Sequence, residues 1–219
     1  LERLAVDYGV RQFRFSDEFL TANRRHLTGL CDGIRSSAIL RGPDGCAWRA
    51  SIGVNPHDAE MFRLMAAAGC REVSLGVESA DPNVLQVLQK RQSVEDAEAA
   101  IKGAHAAGLA TRALFMVATP GSSADTARLN CDFFHRCGDS LDGIALTVFE
   151  AIPGCAVARD PAAFGCRIKP GRRSICIRGP DGDHLEPAIE IEGLPGYIME
   201  NEVRVTVACA RQLNKLGGG

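Results

Sequence analysis

The segment Arg71-Glu72-Val73-Ser74-Leu75-Gly76-Val77-Glu78-Ser79 decides the fold predicted from this sequence. Its valines and leucine recur at every second position, which predicts a buried β-strand. Gly76 lets another backbone or a ligand approach closely. Glu78 lies where the strand ends, and Asp81-Pro82-Asn83 turns the chain after it. Because α/β folds bind ligands at the carboxyl ends of their strands, Glu78 is a candidate binding residue.

The same local pattern recurs along the chain: a helix, small residues, a glycine, a strand and a polar turn. The glycines are Gly9, Gly69 and Gly108, each between a helical pattern and an apolar run. Such alternation predicts a parallel sheet with helical connections. The predicted strands span residues 10–15, 47–54, 71–77, 111–118 and 144–149. Both an open doubly wound sheet and a complete or partial barrel fit this count.

Composition excludes several classes of protein. The chain has 219 residues, so it can bury a core without disulfides. Its formal net charge is -2, and this lack of a basic excess argues against nucleic-acid binding. No apolar run is long enough to cross a membrane. Nine cysteines are scattered through the sequence, several within apolar patterns. Reduced, buried thiols of this kind predict a cytoplasmic protein rather than a disulfide scaffold.

The pattern of alternating helices and strands weakens after Cys155. We therefore predict a first domain at residues 1–155 and a C-terminal extension at 156–219. Within the extension, Gly179-Pro180-Asp181-Gly182 predicts a hairpin turn, with residues 175–177 and 189–191 as its arms. Residues 197–216 favour a helix, because apolar side chains recur at helical spacing.

Polar residues follow the predicted strands where each of them ends. In a parallel fold these ends share one face, which predicts a small-molecule site. A purely structural reading stays open, because loops after strands are polar in any case. Lys90 is predicted on the helix after Glu78, where a cation can bind a ligand carboxylate, and Ser122 or Ser123 is predicted to cap a later helix. The polar residues at the strand ends are Asp17, Glu18, Asn55, Glu78, Ser79, Thr119 and Glu150.

Four motifs resemble the radical S-adenosylmethionine (SAM) superfamily, in the group whose members often carry an upstream cobalamin-binding domain. The first runs from Gly69-Cys70 through Gly76-Val77-Glu78-Ser79 and Val84-Leu85 to Lys90. The others are Phe15-Ser16-Asp17-Glu18-Phe19, Phe115-Met116-Val117-Ala118-Thr119-Pro120-Gly121 and Phe149-Glu150-Ala151-Ile152-Pro153-Gly154. Each motif alone is weak, but their order and spacing agree over about residues 1–166.

The resemblance implies a fold and a set of cofactor contacts. The fold would be an α/β, partial (β/α)6 TIM-like barrel that lacks its first strand and has a small C-terminal extension. The implied cofactor-binding residues are Asp17 at the amino group of SAM, Glu78 and Ser79 at its ribose, Lys90 at its carboxylate, and the backbone after Val117 and Phe149 beside its adenine. No catalytic residue and no metal ligand is assigned.

The resemblance also implies a chemistry. A [4Fe-4S] cluster in such enzymes cleaves SAM to a 5′-deoxyadenosyl radical, which abstracts hydrogen from a small-molecule or peptide substrate. A reductant such as flavodoxin or ferredoxin would supply the electron, and cobalamin is a possible second cofactor. The resemblance gives no reason to expect a membrane or nucleic-acid partner.

This sequence departs from the family pattern in two respects. The cluster-binding spacing C-x3-C-x2-C is absent, and we expect a longer gene product to supply it before Leu1. Ala118 stands where glycine is usual, and Ser122-Ser123 where an acid follows Pro-Gly. Two alternatives to a radical enzyme stay open. One is a degenerate SAM-binding or scaffold module, and the other is an unrelated barrel enzyme with Asp17 or Glu78 as general base.

Overall fold

The computed structural model describes residues 1–16, 20–41, 45–54, 59–169, 175–179, 182–186 and 188–216. Helices and strands alternate up to residue 148, as the repeated sequence pattern predicts. The helices are α1 (Glu2–Tyr8), α2 (Arg24–Ser36), α3 (Ala59–Ala67), α4 (Pro82–Val87), α5 (Val94–Ala106), α6 (Thr126–Cys137), α7 (Ala156–Arg159) and α8 (Gly196–Leu216). The strands are β1 (Gln12–Phe15), β2 (Ala47–Ile52), β3 (Cys70–Glu78), β4 (Ala110–Val117), β5 (Gly143–Val148), β6 (Cys166–Ile168), β7 (Ile175–Gly179), β8 (Gly182–Glu186) and β9 (Ile189–Ile191).

The first five strands form one sheet in the order β1-β2-β3-β4-β5, so neighbours in sequence are neighbours in the sheet. The sheet is parallel, with Ala50 opposite Val73 and Ile52 opposite Leu75 where β2 meets β3. All five strands lie within two residues of their predicted bounds, and the predicted α/β class is confirmed. Within the described residues the sheet is open, as a partial barrel requires.

The described chain divides into two compact units. The first comprises residues 1–76, 95–113 and 139–143, and the second residues 77–94, 114–138 and 144–219. The predicted domain boundary after residue 155 stays a prediction.

The first unit is built around Trp48 of β2. Its ring is 2 % exposed and lies 5.2 Å from the ring of Phe15 in an edge-on contact. The indole N–H donates to the carbonyl oxygen of Ala68 at 2.8 Å. The next residue is Gly69, whose φ is +88° and where an added Cβ would lie 2.5 Å from the Cys46 carbonyl oxygen. Glycine is therefore required at this turn, as the sequence pattern predicts.

The second unit has two apolar clusters. In one, Phe115 packs against Phe133 and Phe134 with ring centroids 5.6 and 4.8 Å apart. The other joins the ends of β4 and β5 to the C-terminal extension, and its buried members are Val117, Ala118, Phe149, Val157, Cys166, Ile189, Met199 and Val203. The extension thus shares a core with the strand ends where the candidate site lies.

The C-terminal extension corrects one sequence prediction. The predicted hairpin is confirmed by the pairing of Gly179 with Gly182, and its first arm at 175–177 lies in β7. The predicted second arm is wrong: β7 pairs with β8, while β9 pairs antiparallel with β6. A tight turn brings the residues directly after it into register first, so residues 182–186 take the place predicted for 189–191. The predicted C-terminal helix is confirmed as α8. No helix in the described ranges is both long enough and apolar enough to cross a membrane.

Candidate functional site

Glu78 ends β3 in an unusual backbone conformation. Its φ is 68°, in the left-handed region that few residues other than glycine adopt. Its Oε1 accepts a hydrogen bond from Lys90 Nζ at 2.7 Å, and the Glu78 side chain is 19 % exposed. A left-handed residue other than glycine costs about 1–3 kcal/mol, and such strain concentrates at ligand sites. The outlier therefore supports the sequence prediction that this carboxylate binds a ligand.

Lys90 does not lie on a helix, which corrects the sequence prediction. Helix α4 ends at Val87, and Gln89, with a φ of 56°, turns the chain away. Lys90 follows in the connection to α5, where its side chain is 35 % exposed. Nearby, Gln92 Nε2 donates to the carbonyl oxygen of Val77 at 2.9 Å and ties the connection to the strand end. An ammonium group has three donors, so Lys90 can hold Glu78 and a second acceptor together.

Side chains of α6 form hydrogen bonds with Ser79 and with the two residues after it. Asn130 Oδ1 accepts from the amide of Ala80 at 2.9 Å and lies 3.4 Å from Ser79 Oγ. Asp81 accepts from the Thr126 hydroxyl at 2.6 Å. Ser79 is fully buried and its hydroxyl oxygen also accepts from the Asp81 amide at 3.1 Å. The described contacts of Ser79 are thus internal to the fold, and its predicted contact with ribose stays a prediction.

The end of β4 repeats the conformation seen at Glu78. Val117 is buried, and Ala118, the next residue, has a φ of 54°. The Ala118 amide donates to Glu202 Oε1 at 3.1 Å, across 84 positions of sequence. Two neighbouring strands therefore end in left-handed residues that are not glycine.

Glu202 is a buried acid on α8 that sequence reasoning missed. It is 1 % exposed. Burial raises the pKa of Glu202 from 4.5 to about 7; the nearby Asp81 charge adds to this rise, while Ser122 and the Ala118 amide oppose it. The carboxyl group of Glu202 thus lies at the turn after β4, whose Ser122 stands where the family pattern has an acid. The sequence does contain a signal for this residue, because Glu202 lies on the same helix face as the apolar Met199 and Val203.

The predicted capping role of Ser122 or Ser123 is wrong. Helix α6 begins at Thr126, and its N-cap is Asp125 without a side-chain cap bond. Ser122 is buried, and its hydroxyl oxygen accepts from the Thr119 amide at 3.3 Å. The Ser123 hydroxyl accepts from the amide of Asp125 at 3.2 Å. Both hydroxyls are thus bonded within the turn, so the helix starts later.

Phe149 at the end of β5 lies beside the end of β4. Its amide donates to the carbonyl oxygen of Val117 at 2.9 Å, and its ring is 7 % exposed. The second unit therefore brings together five of the six predicted site residues, namely Glu78, Ser79, Lys90, Val117 and Phe149. Asp17, the sixth, lies outside the described residues, as do Glu18 and Asn55.

Comparison with known proteins identifies the family. The sequence profile of the Radical SAM superfamily matches residues 3–133, more than half of the chain. The chain belongs to the radical SAM superfamily.

Curated relatives of this radical SAM chain have several activities. The chain is 24% identical over 154 residues to an uncharacterized methyltransferase from Pyrococcus horikoshii, covering 70% of this chain and 32% of the relative. It is 30% identical over 204 residues to the heme chaperone HemW from Mycobacterium tuberculosis, covering 88% of this chain and 48% of that protein. The chain therefore spans about half of these relatives or less.

Solved structures share the radical SAM fold at low sequence identity. The radical SAM methyltransferase TsrM from Kitasatospora setae, with cobalamin and a [4Fe-4S] cluster bound, superposes with a TM-score of 0.70 at 19% identity, covering 95% of this chain and 45% of TsrM. Coproporphyrinogen III oxidase (HemN) from Escherichia coli gives a TM-score of 0.64 at 13% identity, covering 97% of this chain and 44% of that one. These likenesses establish the fold of the radical SAM core.

The described residues of this radical SAM chain do not fit a [4Fe-4S] cluster. Three thiolates are needed for such a cluster when SAM takes the remaining iron position. In the ranges that the structure describes, no three His, Cys, Asp or Glu side chains are grouped for metal binding. Burial raises the pKa of Cys31 to about 11 and that of Cys70 to about 12, which keeps both as neutral thiols.

Proposed function

We propose that this chain is the SAM-binding core of a radical SAM enzyme, with SAM at the ends of β3, β4 and β5. The observation that carries the proposal is the end of β3, where Glu78 is left-handed and lies 2.7 Å from Lys90. Strain retained at a strand end, with a carboxylate and a cation in contact, is typical of a ligand site.

Each predicted contact has a chemical reason. A carboxylate accepts several hydrogen bonds at once, so Glu78 can bind ribose hydroxyls while it keeps Lys90. The remaining donors of Lys90 suit the carboxylate of SAM. Asp17 would accept from the amino group of SAM. The backbone after Val117 and after Phe149 would flank adenine, supported by the apolar cluster beneath.

The whole protein would need more than this chain. SAM bound to a cluster is the source of a radical in this family, and the cluster thiolates would have to come from a part of the protein outside these residues. The substrate would be a small molecule or a peptide, and an electron donor such as flavodoxin or ferredoxin would be required. Cobalamin is a further candidate cofactor, in line with the cobalamin bound in the TsrM structure.

Calorimetric titration with SAM tests the proposal on the 219-residue chain. We expect saturable binding that Glu78→Ala weakens at least tenfold, because the ribose contact is lost. Glu98→Ala is the matched control, because Glu98 forms a similar ion pair with Lys102 at 2.6 Å on α5. Absence of binding, or equal losses in the two variants, would contradict the proposal.

A second candidate is a SAM-binding module without radical chemistry. The lack of C-x3-C-x2-C in these 219 residues favours it. Anaerobic reconstitution with iron and sulfide separates the two candidates when the chain is expressed with the sequence that precedes it in its gene. A radical SAM core gives a bound cluster and reductive cleavage of SAM. A binding module gives SAM affinity with neither.

A further inference from the structure

Most of the buried polar side chains in the described chain form one group, and only one of its members, Ser79, is a predicted SAM contact. Its members share the region between the ends of β3 and β4 and the facing surfaces of α6 and α8, and they are Ser79, Asp81, Thr119, Ser122, Thr126, Asn130, Glu202 and Thr206. Burying so many polar groups is costly unless hydrogen bonds compensate. Such a group of buried polar side chains can fix a geometry that an apolar core cannot fix.

Glu202 is the acidic member of this group that comes from the C-terminal extension. Its Oε1 accepts from the Ala118 amide at 3.1 Å. Its Oε2 has no hydrogen-bond partner among the described residues. An unpartnered buried oxygen favours the neutral carboxylic acid over the carboxylate. The side chain thus acts as an uncharged acceptor for the turn after β4.

Ala118 needs such an acceptor. A left-handed alanine costs about 1–3 kcal/mol, so its conformation persists only where surrounding contacts impose it. The Ala118 residue is fully buried and its amide points to Glu202. Helix α8 is held against the same turn by Met199 and Val203, which pack in the cluster that contains Val117. The packing of α8 therefore holds the Glu202 carboxyl group at the Ala118 amide.

We infer that Glu202 is a positioning residue for the SAM site: through the Ala118 amide it fixes the turn whose backbone would flank adenine. The inference rests on the proposed SAM-binding function. The C-terminal extension is then part of the cofactor site, because its Glu202 carboxyl group fixes the turn after β4. Glu202 itself touches neither SAM nor the reacting atoms in this account.

SAM titration of variants at one position tests the inference. Glu202→Gln keeps an uncharged acceptor for the Ala118 amide, so we expect affinity within about twofold of wild type. Glu202→Met keeps the volume but removes the acceptor, and we expect about a tenfold loss. Glu200→Gln, at an exposed position of the same helix, is the control.

The outcomes separate this inference from the proposed function. If wild type fails to bind SAM, the proposed function falls and the inference falls with it. If wild type binds and folded Glu202→Met binds equally well, the inference alone is wrong. Should Glu202→Met not fold, Glu202→Asp decides, because its shorter side chain withdraws the acceptor from the Ala118 amide. About a threefold loss in Glu202→Asp supports the inference, and unchanged affinity overturns it.

Discussion

The ends of β3 and β4 reach the same backbone conformation by different means. Glu78 is held by Lys90, twelve positions away, in an ion pair that solvent partly reaches. Ala118 is held by Glu202, 84 positions away, in a fully buried hydrogen bond. The first arrangement leaves charges available to a ligand, whereas the second serves to fix the backbone. We therefore propose that the end of β3 offers charged side chains to the ligand, whereas the end of β4 offers it a fixed backbone.

The largest expected effect lies in the pH dependence of stability. Because the pKa of Glu202 is about 7 in the folded protein and 4.5 ordinarily, the folded state binds more protons between those values. The free energy of unfolding should then fall by about 3 kcal/mol as pH rises through this window. Urea unfolding across the window measures the effect. Glu202→Gln should remove this part of the slope, and an identical slope in both proteins would contradict the assignment.

Asn130 is expected to contribute about 2 kcal/mol to stability. Asn130→Ala removes the acceptor for the Ala80 amide and leaves that buried donor unpaired. Chemical denaturation of the variant measures the loss. Asn201→Ala, at an exposed position of α8, should change stability by less than about 0.5 kcal/mol. Equal effects in the two variants would show that the hydrogen bond from the Ala80 amide to Asn130 does not stabilise the fold.

Glycine at Glu78 should separate stability from binding. Glu78→Gly relieves the left-handed conformation and is expected to raise the free energy of unfolding by about 1 kcal/mol. The same variant should lose SAM affinity, because the carboxylate is gone. Glu98→Gly, within helix α5, should instead lower stability by about 1 kcal/mol. A Glu78→Gly variant less stable than wild type would mean that no strain is stored at the end of β3.

The smallest effect is expected from the ion pair itself. Lys90→Met should change the free energy of unfolding by less than about 1 kcal/mol, because the pair is partly exposed and its Coulomb energy is screened. Lys102→Met gives the matched value for the exposed pair with Glu98. If Lys90→Met lowers the free energy of unfolding much more than Lys102→Met does, Lys90 has a structural role rather than a role in ligand contact.

The two strand ends also differ in how far the sequence could predict them. Alternating apolar residues locate β1 to β5, and a glycine marks the start of β1, β3 and β4, because these signals are local. Glu78 and Lys90 could be assigned to one site because they are close in sequence and share a motif. Glu202 could not be paired with Ala118, since the contact depends on where α8 packs. The wrong hairpin arm has another origin: the Ile-x-Ile pattern of residues 189–191 favoured them as the partner of β7, but β8, the next segment in sequence, takes that place and β9 pairs with β6.

The central claim is that SAM binds where β3 and β4 end, and an NMR titration of the 219-residue chain tests it most directly. Amide resonances of Glu78, Ser79 and Ala118 are followed while S-adenosylhomocysteine, which keeps the adenine, ribose and amino-acid groups, is added. We predict saturable shifts at these three amides, with those of exposed Glu200 unchanged. Saturation without shifts at Glu78 and Ala118, or no saturable shift at all, would contradict the account.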